Sequence, residues 1–294
     1  MASRTPPHVF FLVSAIFHYL GPAFAVLLFA HVAPLGVAWL RIASAGIVFA
    51  IWRRPWRYVA TLAPAERRIV IALGVVLAVM NSVFYEAIAR LPLGTVGAIE
   101  FVGPIVLAAA GTRTARNLVA LGLAAAGVYA LTDVRIVGAS LGYLFAAANC
   151  GLFMIYIVLG HRIASGGAGI DRLGAAMLVA TVAALPIGIR DAAPALADPV
   201  LLGAAIGVGI SSSVIPYVCD QLAMARLPRA TFALLLSLLP ATAFVVGRIV
   251  LHQVPSPGEL VGVALVIAGV ALHSARARIT APARHRPAPD SPPG

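Results

Sequence analysis

Long apolar runs separated by short polar gaps dominate the hydrophobic pattern of the chain. Each run is about 17 to 24 residues long, the length that an α-helix needs to cross about 30 Å of hydrocarbon. The first run exceeds the apolar core of a usual signal peptide and is interrupted by His18 and Tyr19, so we interpret it as a membrane helix. The pattern predicts ten membrane-spanning helices: 9–30, 33–52, 68–89, 93–112, 116–133, 137–160, 172–189, 199–221, 229–250 and 258–275.

Composition identifies lipid as the solvent of these helices. Hydrophobic residues make up 61% of the 294 residues, charged residues make up 11%, and the mean hydropathy is +0.99. A soluble domain with this composition lacks the polar residues to cover its surface. The formal net charge of +11 comes from arginines in the gaps between runs. No basic helix is interleaved with aromatic residues, so we predict no binding to nucleic acid.

The distribution of arginine predicts the orientation of the helices. An even number of spans places both termini on one side of the membrane. With the termini in the cytoplasm, sixteen arginines fall on the inner side and three on the outer side, which is the positive-inside pattern. We therefore predict a multi-pass protein of the cell membrane, the inner membrane of a bacterium, with both termini cytoplasmic. The Pro- and Arg-rich tail 276–294 is predicted to be disordered.

A short motif recurs at a spacing of 136 residues. The letters ARLP occupy both 89–92 and 225–228, and the same shift aligns Pro104 with Pro240. Each half is therefore predicted to be one five-helix unit, 9–133 and 137–275. Because five is odd, the second unit enters the membrane inverted. The predicted fold class is an all-α integral membrane protein with ten transmembrane helices in two inverted five-helix repeats. Such repeats are typical of secondary transporters, whose substrate site lies near the midplane; a duplicated structural scaffold is the alternative.

Four stretches of the chain are distinctive as sequences. They read GVAWLRIASAGIVFA at 36–50, NSVFYEAIARLPLGTVGAIEFVGP at 81–104, YIVLGHR at 156–162 and SSSVIPYVCDQLAMARLPRATFALLLSLLPA at 211–241. Together they resemble the EamA-type drug/metabolite transporter superfamily, and above all its threonine/homoserine exporter branch. The resemblance extends over residues 9 to 275. It implies ten helices around a central cavity, cytoplasmic termini, and export of small metabolites, often amino acids, driven by the proton gradient.

The second half departs from the pattern of that branch at two places. Branch members tend to carry a glutamate just before the second-half proline, where this chain has Leu239. They also tend to end that helix with a glycine-glutamate pair, where this chain has His252 and Gln253. Both changes remove a carboxylate. If those glutamates handle substrate or protons elsewhere in the branch, this protein is expected to differ in cargo or coupling.

Two charges inside predicted spans are the leading candidates for a substrate or proton site. Glu100 lies about seven residues and Arg41 about eight residues from the outer end of its run, so both lie about 10 to 12 Å below the outer surface. An isolated charge at the centre of a membrane helix costs about 2.5 to 3.5 kcal/mol on insertion scales. Pro104 cannot donate to the carbonyl of residue 100, which leaves that carbonyl and the carboxylate to meet a substrate ammonium group. A structural Glu–Arg clamp is the alternative, and the two roles are compatible.

Several polar residues and prolines complete the candidate site. Asn81 and Tyr85 are one turn apart and share a helix face. Asn81 is predicted either to line a pore or to bond a neighbouring helix, and His18 either to line the cavity or to pack. The serines at 211–213 indicate either a broken helix at the cavity or close packing through small residues. The candidate helix kinks are Pro104, Pro216 and Pro240.

These features favour transport over other classes of function. We predict a secondary active exporter of small metabolites, with amino acids such as threonine, homoserine or their analogues as leading cargo, coupled to protons. The alternatives are a broader drug/metabolite or nucleotide-type transporter of the same superfamily, and an intramembrane enzyme or scaffold. No Walker-type Gly-Lys-Ser sequence is present, which argues against ATP drive within the chain. We expect no enzymatic activity, catalytic residue, metal or cofactor; the expected partners are the lipid bilayer, a small-molecule substrate and protons. The sequence leaves the oligomeric state open.

Overall fold

Helices follow the apolar runs of the chain closely. The computed structural model describes residues 7–103, 106, 114–133, 136–164, 169–224 and 239–274. One π-helical turn, Ile210–Val214, joins two helices without a break. The α-helices are α1 (Pro7–Leu28), α2 (Pro34–Arg53), α3 (Pro55–Val59), α4 (Pro64–Ile88), α5 (Leu93–Glu100), α6 (Ala115–Asp133), α7 (Ile136–Ala164), α8 (Gly169–Ala197), α9 (Pro199–Gly209), α10 (Ile215–Met224), α11 (Leu239–Val250) and α12 (Pro257–Ser274).

Local sequence signals explain where many of these helices begin. Proline occupies the first turn of α2, α3, α4 and α9, where its missing N–H has no intrahelical partner to lose. The Asp198 carboxylate caps α9 by accepting from two backbone N–H groups. Ser256 and Glu259 form a reciprocal capping box at the start of α12, with the Ser256 N–H donating to the glutamate at 2.7 Å.

The described helices make the chain a multi-pass, all-helical membrane protein. Six candidate spans are long and apolar enough to cross a bilayer: Val9–Leu28, Pro34–Arg53, Pro64–Ile88, Ser140–Gly160, Gly169–Ala197 and Pro199–Asp220. Three shorter apolar helices lie within α6, α11 and α12. The five-residue α3 was not predicted from the apolar pattern, and α8 extends beyond the predicted run 172–189. The total of ten spans and the inverted relation of the halves stay predictions. Pro104, the second ARLP motif and the tail 276–294 lie outside the described residues.

Small residues bring the helices into close contact. α2 packs along α8, α4 packs between α7 and α8, α6 packs on α12, and α1 packs on α10. A Cβ on Gly188 would overlap the Leu35 carbonyl oxygen of α2 at 2.5 Å, so the absence of a side chain there sets the spacing of α2 and α8. Large apolar side chains such as Ile51, Val182 and Val200 remain exposed on the outside. This arrangement is typical of helices in lipid, where close packing rather than water exclusion drives association.

Candidate functional site

Glu100 is a buried carboxylate at the meeting point of three helices. It ends α5, and only 5% of its surface is exposed. The Asn149 side chain of α7 donates from Nδ2 to Oε1 at 3.0 Å, and the Tyr19 hydroxyl of α1 donates to Oε2 at 3.4 Å. A Cβ on Gly97 would lie 2.9 Å from that hydroxyl, so a glycine there leaves Tyr19 room to reach the carboxylate. Both carboxylate oxygens are thus held by neutral donors.

Arg41 of α2 is the matching buried cation, and it is held by irregular backbone. Its Nε donates to the Ser213 hydroxyl at 2.8 Å, and its Nη2 donates to the Ser212 carbonyl at 2.8 Å. Pro216, four residues after Ser212, has no N–H to offer that carbonyl. The guanidinium therefore bonds a carbonyl that proline leaves without its usual helical donor. The face of the guanidinium lies 5.4 Å from the centroid of the Tyr85 ring, within cation–π range.

Arg41 and Glu100 do not form an ion pair in the described structure. Each has its own neutral partners, although the two side chains are near enough for their charges to interact. The clamp alternative, which requires direct contact between these two groups, is therefore absent from this conformation. Equal depth in the membrane does not determine which helices are neighbours. In the described residues α2 and α5 are not extensively packed against each other.

The other predicted polar residues surround these two charges in different ways. Tyr85 is fully buried beneath Arg41. His18 is partly buried and lies edge-on to the Tyr19 ring, with the ring centroids 5.3 Å apart. Asn81 is buried, and its amide donates to the Leu77 carbonyl at 2.7 Å within α4. Its observed bond is therefore neither a pore contact nor a bond between helices.

The three predicted kinks have different positions in the structure. Pro216 is the second residue of α10, which directly follows the π-helical turn. Pro240 is the second residue of α11, whose preceding residues are outside the described ranges, as is Pro104. Ser212 also packs closely, because a Cβ on Gly21 of α1 would overlap it. The serine stretch therefore makes the predicted contact through small residues, while its helix is irregular and not broken.

A second polar contact lies further along the same helix pair. The Ser14 hydroxyl of α1 donates to the Asp220 carboxylate of α10 at 2.5 Å and also approaches the Pro216 carbonyl at 3.2 Å. The sequence did not predict Ser14, Asn149 or the contact between Tyr19 and Glu100 as parts of the site. Asn149 had a usable signal, because it is an amide in the middle of a predicted span. Ser14 had none, since serines are common in membrane helices.

A column of aromatic rings runs between the levels of Glu100 and Asp220. The ring centroids are 5.7 Å apart for Phe101 and Phe153, 5.8 Å for Phe153 and Tyr156, and 6.5 Å for Tyr156 and Tyr217. The last two pairs are stacked. The column begins beside Glu100 and ends one helical turn before Asp220. The column therefore connects the neighbourhood of the buried Glu100 with that of the partly buried Asp220 through apolar and phenolic side chains.

The positions that depart from the exporter branch have structural explanations. His252 adopts φ 53°, the left-handed conformation that glycine adopts at the lowest cost. The Gln253 side chain accepts from the Leu93 N–H at 3.1 Å, which caps the start of α5. Leu239 is a buried apolar residue at the start of α11. Gln253 thus lies at the opposite end of α5 from Glu100, where it lines a pocket with Thr95.

The described ranges contain no group of three or more His, Cys, Asp or Glu side chains that could hold a metal ion. A Gly-x-Ser-x-Gly pattern occurs at 138–142, the spacing that surrounds a nucleophilic serine in many hydrolases. In those enzymes the serine stands on a sharp turn between a strand and a helix. Here the whole pattern lies within the long helix α7. The pattern therefore lacks the structural context of a nucleophile.

Comparisons with known proteins agree with this helical arrangement. Residues 140–275 match the EamA-like transporter family. Threonine/homoserine exporter RhtA of Escherichia coli (strain K12) is 32% identical over 269 residues, 89% of each chain. The RhtA of Salmonella typhimurium (strain LT2) is 31% identical over 255 residues, 84% of each chain. A protein of known crystal structure, 20% identical, superposes with a TM-score of 0.61 over 92% of this chain and 99% of its own, which shows a shared fold. By these similarities the chain belongs to the EamA-like transporter family.

Proposed function

We propose that this protein is a proton-coupled secondary exporter of amino acids such as threonine and homoserine. Membership of the EamA-like transporter family and the 32% identity to RhtA support export and this choice of cargo. The observation that carries the proposal is Glu100, a buried carboxylate that only neutral groups contact among the described residues. Charged residues inside membrane spans are costly and usually serve substrate or ion pathways.

The architecture we propose has ten helices in two inverted repeats, 9–133 and 137–275, with both termini and the tail in the cytoplasm. Two observations support it. The family match at 140–275 falls entirely within the proposed second repeat. The arginine distribution along the chain favours this orientation. In such an architecture Glu100 lies where the two halves meet, because its partner Asn149 belongs to the second repeat and its partner Tyr19 to the first.

Coupling follows if the proton and the substrate ammonium group compete for Glu100. A proton that enters from the outer side binds the carboxylate when the site opens outward. When the site opens inward, the proton leaves to the cytoplasm and the ammonium group of the substrate takes its place. Asn149 and Tyr19 carry no charge, so they orient the carboxylate without competing as fixed cations. One proton therefore moves inward for each substrate that moves outward.

Transport by purified protein in proteoliposomes tests this proposal. Labelled threonine or homoserine is followed both in counterflow and under an imposed pH gradient, with wild type beside Glu100→Gln. The matched control is Glu86→Gln, since Glu86 is also a carboxylate within a predicted span but is paired with Arg90 just beyond the end of α4. We expect wild type and Glu86→Gln to respond to the pH gradient. Glu100→Gln is expected to lose that response and to show weaker counterflow, because the substrate ammonium group then lacks its carboxylate.

Two results would contradict parts of the proposal separately. Equal pH responses in wild type and Glu100→Gln would remove Glu100 from the coupling site. Absence of threonine and homoserine transport by wild type would reject the cargo. The broader drug/metabolite alternative would then be tested with a wider set of labelled metabolites.

A further inference from the structure

Arg41 has hydrogen-bonding capacity that its observed partners do not use. A guanidinium has five N–H groups. Ser213 and Ser212 accept from the Nε–H and from one N–H of Nη2. The remaining three N–H groups, on Nη1 and Nη2, have no carboxylate partner in the part of the chain that the structure describes. Those two nitrogens form one of the two edges of the planar guanidinium that can bind a carboxylate in bidentate fashion.

The plane of this fork is fixed from two directions. The Ser212 carbonyl and the Ser213 hydroxyl hold one edge of the guanidinium, and its central carbon lies over the Tyr85 ring. Arg41 is 5% exposed, so bulk water contributes little to its solvation. A preorganised and desolvated guanidinium binds an anionic group more strongly than a mobile surface arginine does.

We propose that Arg41 binds the α-carboxylate of the transported amino acid while Glu100 binds its ammonium group. The site therefore selects zwitterions. This inference rests on the proposed function and adds to it the chemical feature by which the cargo is recognised. It assigns to Arg41 a role in binding substrate rather than in fixing the position of Glu100.

The absence of a direct bond between the two charged groups supports this assignment. Glu100 is held by Asn149 and Tyr19, whereas Arg41 is held by Ser212 and Ser213. A zwitterion carries both complementary charges on one α-carbon and satisfies both groups at once. An amine without a carboxylate leaves Arg41 buried and uncompensated, and an acid without an amine does the same to Glu100. Because unpaired buried charges are strongly unfavourable, such analogues are rejected.

Access to the site requires movement of the helices around it. Arg41 and Glu100 are each 5% exposed, so the described conformation is closed over both groups. The π-helical turn 210–214 holds Arg41 directly. π-helical turns inside α-helices frequently mark functional sites. Opening that displaces this turn carries Arg41 with it and exposes the free edge of its fork.

Competition in the counterflow assay tests the inference. Labelled threonine is competed with unlabelled threonine, with 1-amino-2-propanol, which lacks the carboxylate, and with 3-hydroxybutyrate, which lacks the amine. In wild type we expect each analogue to compete at least about tenfold more weakly than threonine, equivalent to about 1.4 kcal/mol. In Arg41→Gln we expect the affinity for threonine to fall about 10- to 100-fold, while the affinity for 1-amino-2-propanol changes less than about twofold. Arg41→Lys keeps the charge without the fork and is expected to lie between them.

Arg248→Gln is the matched control, since Arg248 is also inside a predicted span but is exposed on α11. Arg248→Gln should leave the ratio of the affinities for threonine and for 1-amino-2-propanol unchanged. Size-exclusion profiles verify folding, and Ser213→Ala provides a milder variant if Arg41→Gln does not fold. Equal competition by threonine and 1-amino-2-propanol in wild type would overturn the inference and leave the exporter intact. If wild type moves neither threonine nor homoserine, the same competition is run with the cargo that it does move. Cargo without a carboxylate would also overturn the inference.

Discussion

The two buried charges of this protein are held in contrasting ways. Glu100 lies at the end of α5 and is positioned by side chains, an amide and a phenol, that project from other helices. Arg41 lies within the regular helix α2 and is positioned by a π-helical turn, through one backbone carbonyl and one hydroxyl. The anion side therefore depends on the identity of its partner residues. The cation side depends on backbone geometry and hence on the packing of the helices that carry it.

We expect the largest effect on stability from a substitution that disturbs packing at the π-helical turn. A Cβ on Gly209 would lie 2.6 Å from the Ser44 Cβ and 2.9 Å from the Arg41 carbonyl oxygen. Gly209→Ala should therefore destabilise the protein by about 1 to 3 kcal/mol through overpacking. Gly207, two residues earlier, has no atom within 4 Å of such a Cβ. Gly207→Ala should be neutral or slightly stabilising, by up to about 1 kcal/mol. Thermal unfolding in detergent measures both; equal midpoints for the two variants would contradict close packing here.

The anion side should respond to the removal of one partner more than the other. Asn149 bonds Glu100 at 3.0 Å, whereas the Tyr19 bond at 3.4 Å is near the limit for a hydrogen bond. Hydrogen bonds to charged groups contribute about 1.5 to 3 kcal/mol. We expect Asn149→Ala to raise the threonine KM in counterflow about tenfold and Tyr19→Phe to raise it less than about threefold. When both substitutions are repeated in the Glu100→Gln background, the difference between their effects on KM should become smaller. A larger effect of Tyr19→Phe than of Asn149→Ala would show that Tyr19 is the stronger partner of Glu100.

The loop that caps α5 allows a test at a residue that contacts neither Glu100 nor Arg41. His252 has a left-handed backbone, which costs a residue with a Cβ about 1 to 2 kcal/mol. His252→Gly should therefore raise the thermal unfolding midpoint, with a gain of about 1 kcal/mol. His252→Ala keeps the Cβ and should give no such gain. A rise with alanine as large as that with glycine would show that the imidazole, rather than the backbone, is responsible.

The smallest effect is expected at the start of α5. Gln253→Glu places a carboxylate against the Leu93 N–H at the positive end of the helix. The gain in stability should be about 0.5 kcal/mol, with no change in the pH response of transport. The same unfolding and counterflow assays measure it, beside Gln253→Ala, which removes the cap. A changed pH response in Gln253→Glu would mean that this end of α5 also takes part in coupling.

Much of the helical framework was predictable from apolar runs, because a bilayer imposes a minimum length on each span. The run 116–133 and the helix α6 differ by one residue at one end. The run 172–189 failed to predict the extent of α8, because Arg190 and Asp191 interrupt the apolar pattern while the backbone continues as helix. The short α3 was missed because five residues carry no usable periodicity.

The sequence indicated which charged residues belong to the site, but it did not indicate which residues they contact. Glu100 and Arg41 were evident because charges are rare in membrane spans. Their actual partners were not, since depth along the membrane normal says nothing about which helices are neighbours. Pro216 was predicted as a kink, and the structure places a π-helical turn directly before the helix that contains it. Only the coordinates connect the carbonyl of Ser212 with a guanidinium on α2, more than 170 residues away in sequence.

The π-helical turn also sets the rotational phase of everything that follows it in the same helix. Its hydrogen bonds span five residues rather than four, so it contains one residue more than the α-helical turn it replaces. One residue corresponds to about 100° of rotation about the helix axis. Tyr217 and Asp220 therefore face the aromatic column and Ser14 because of how many residues precede them. Deleting Val214 would turn both side chains away, while Ser212, Ser213 and every other side chain of the site kept their identity.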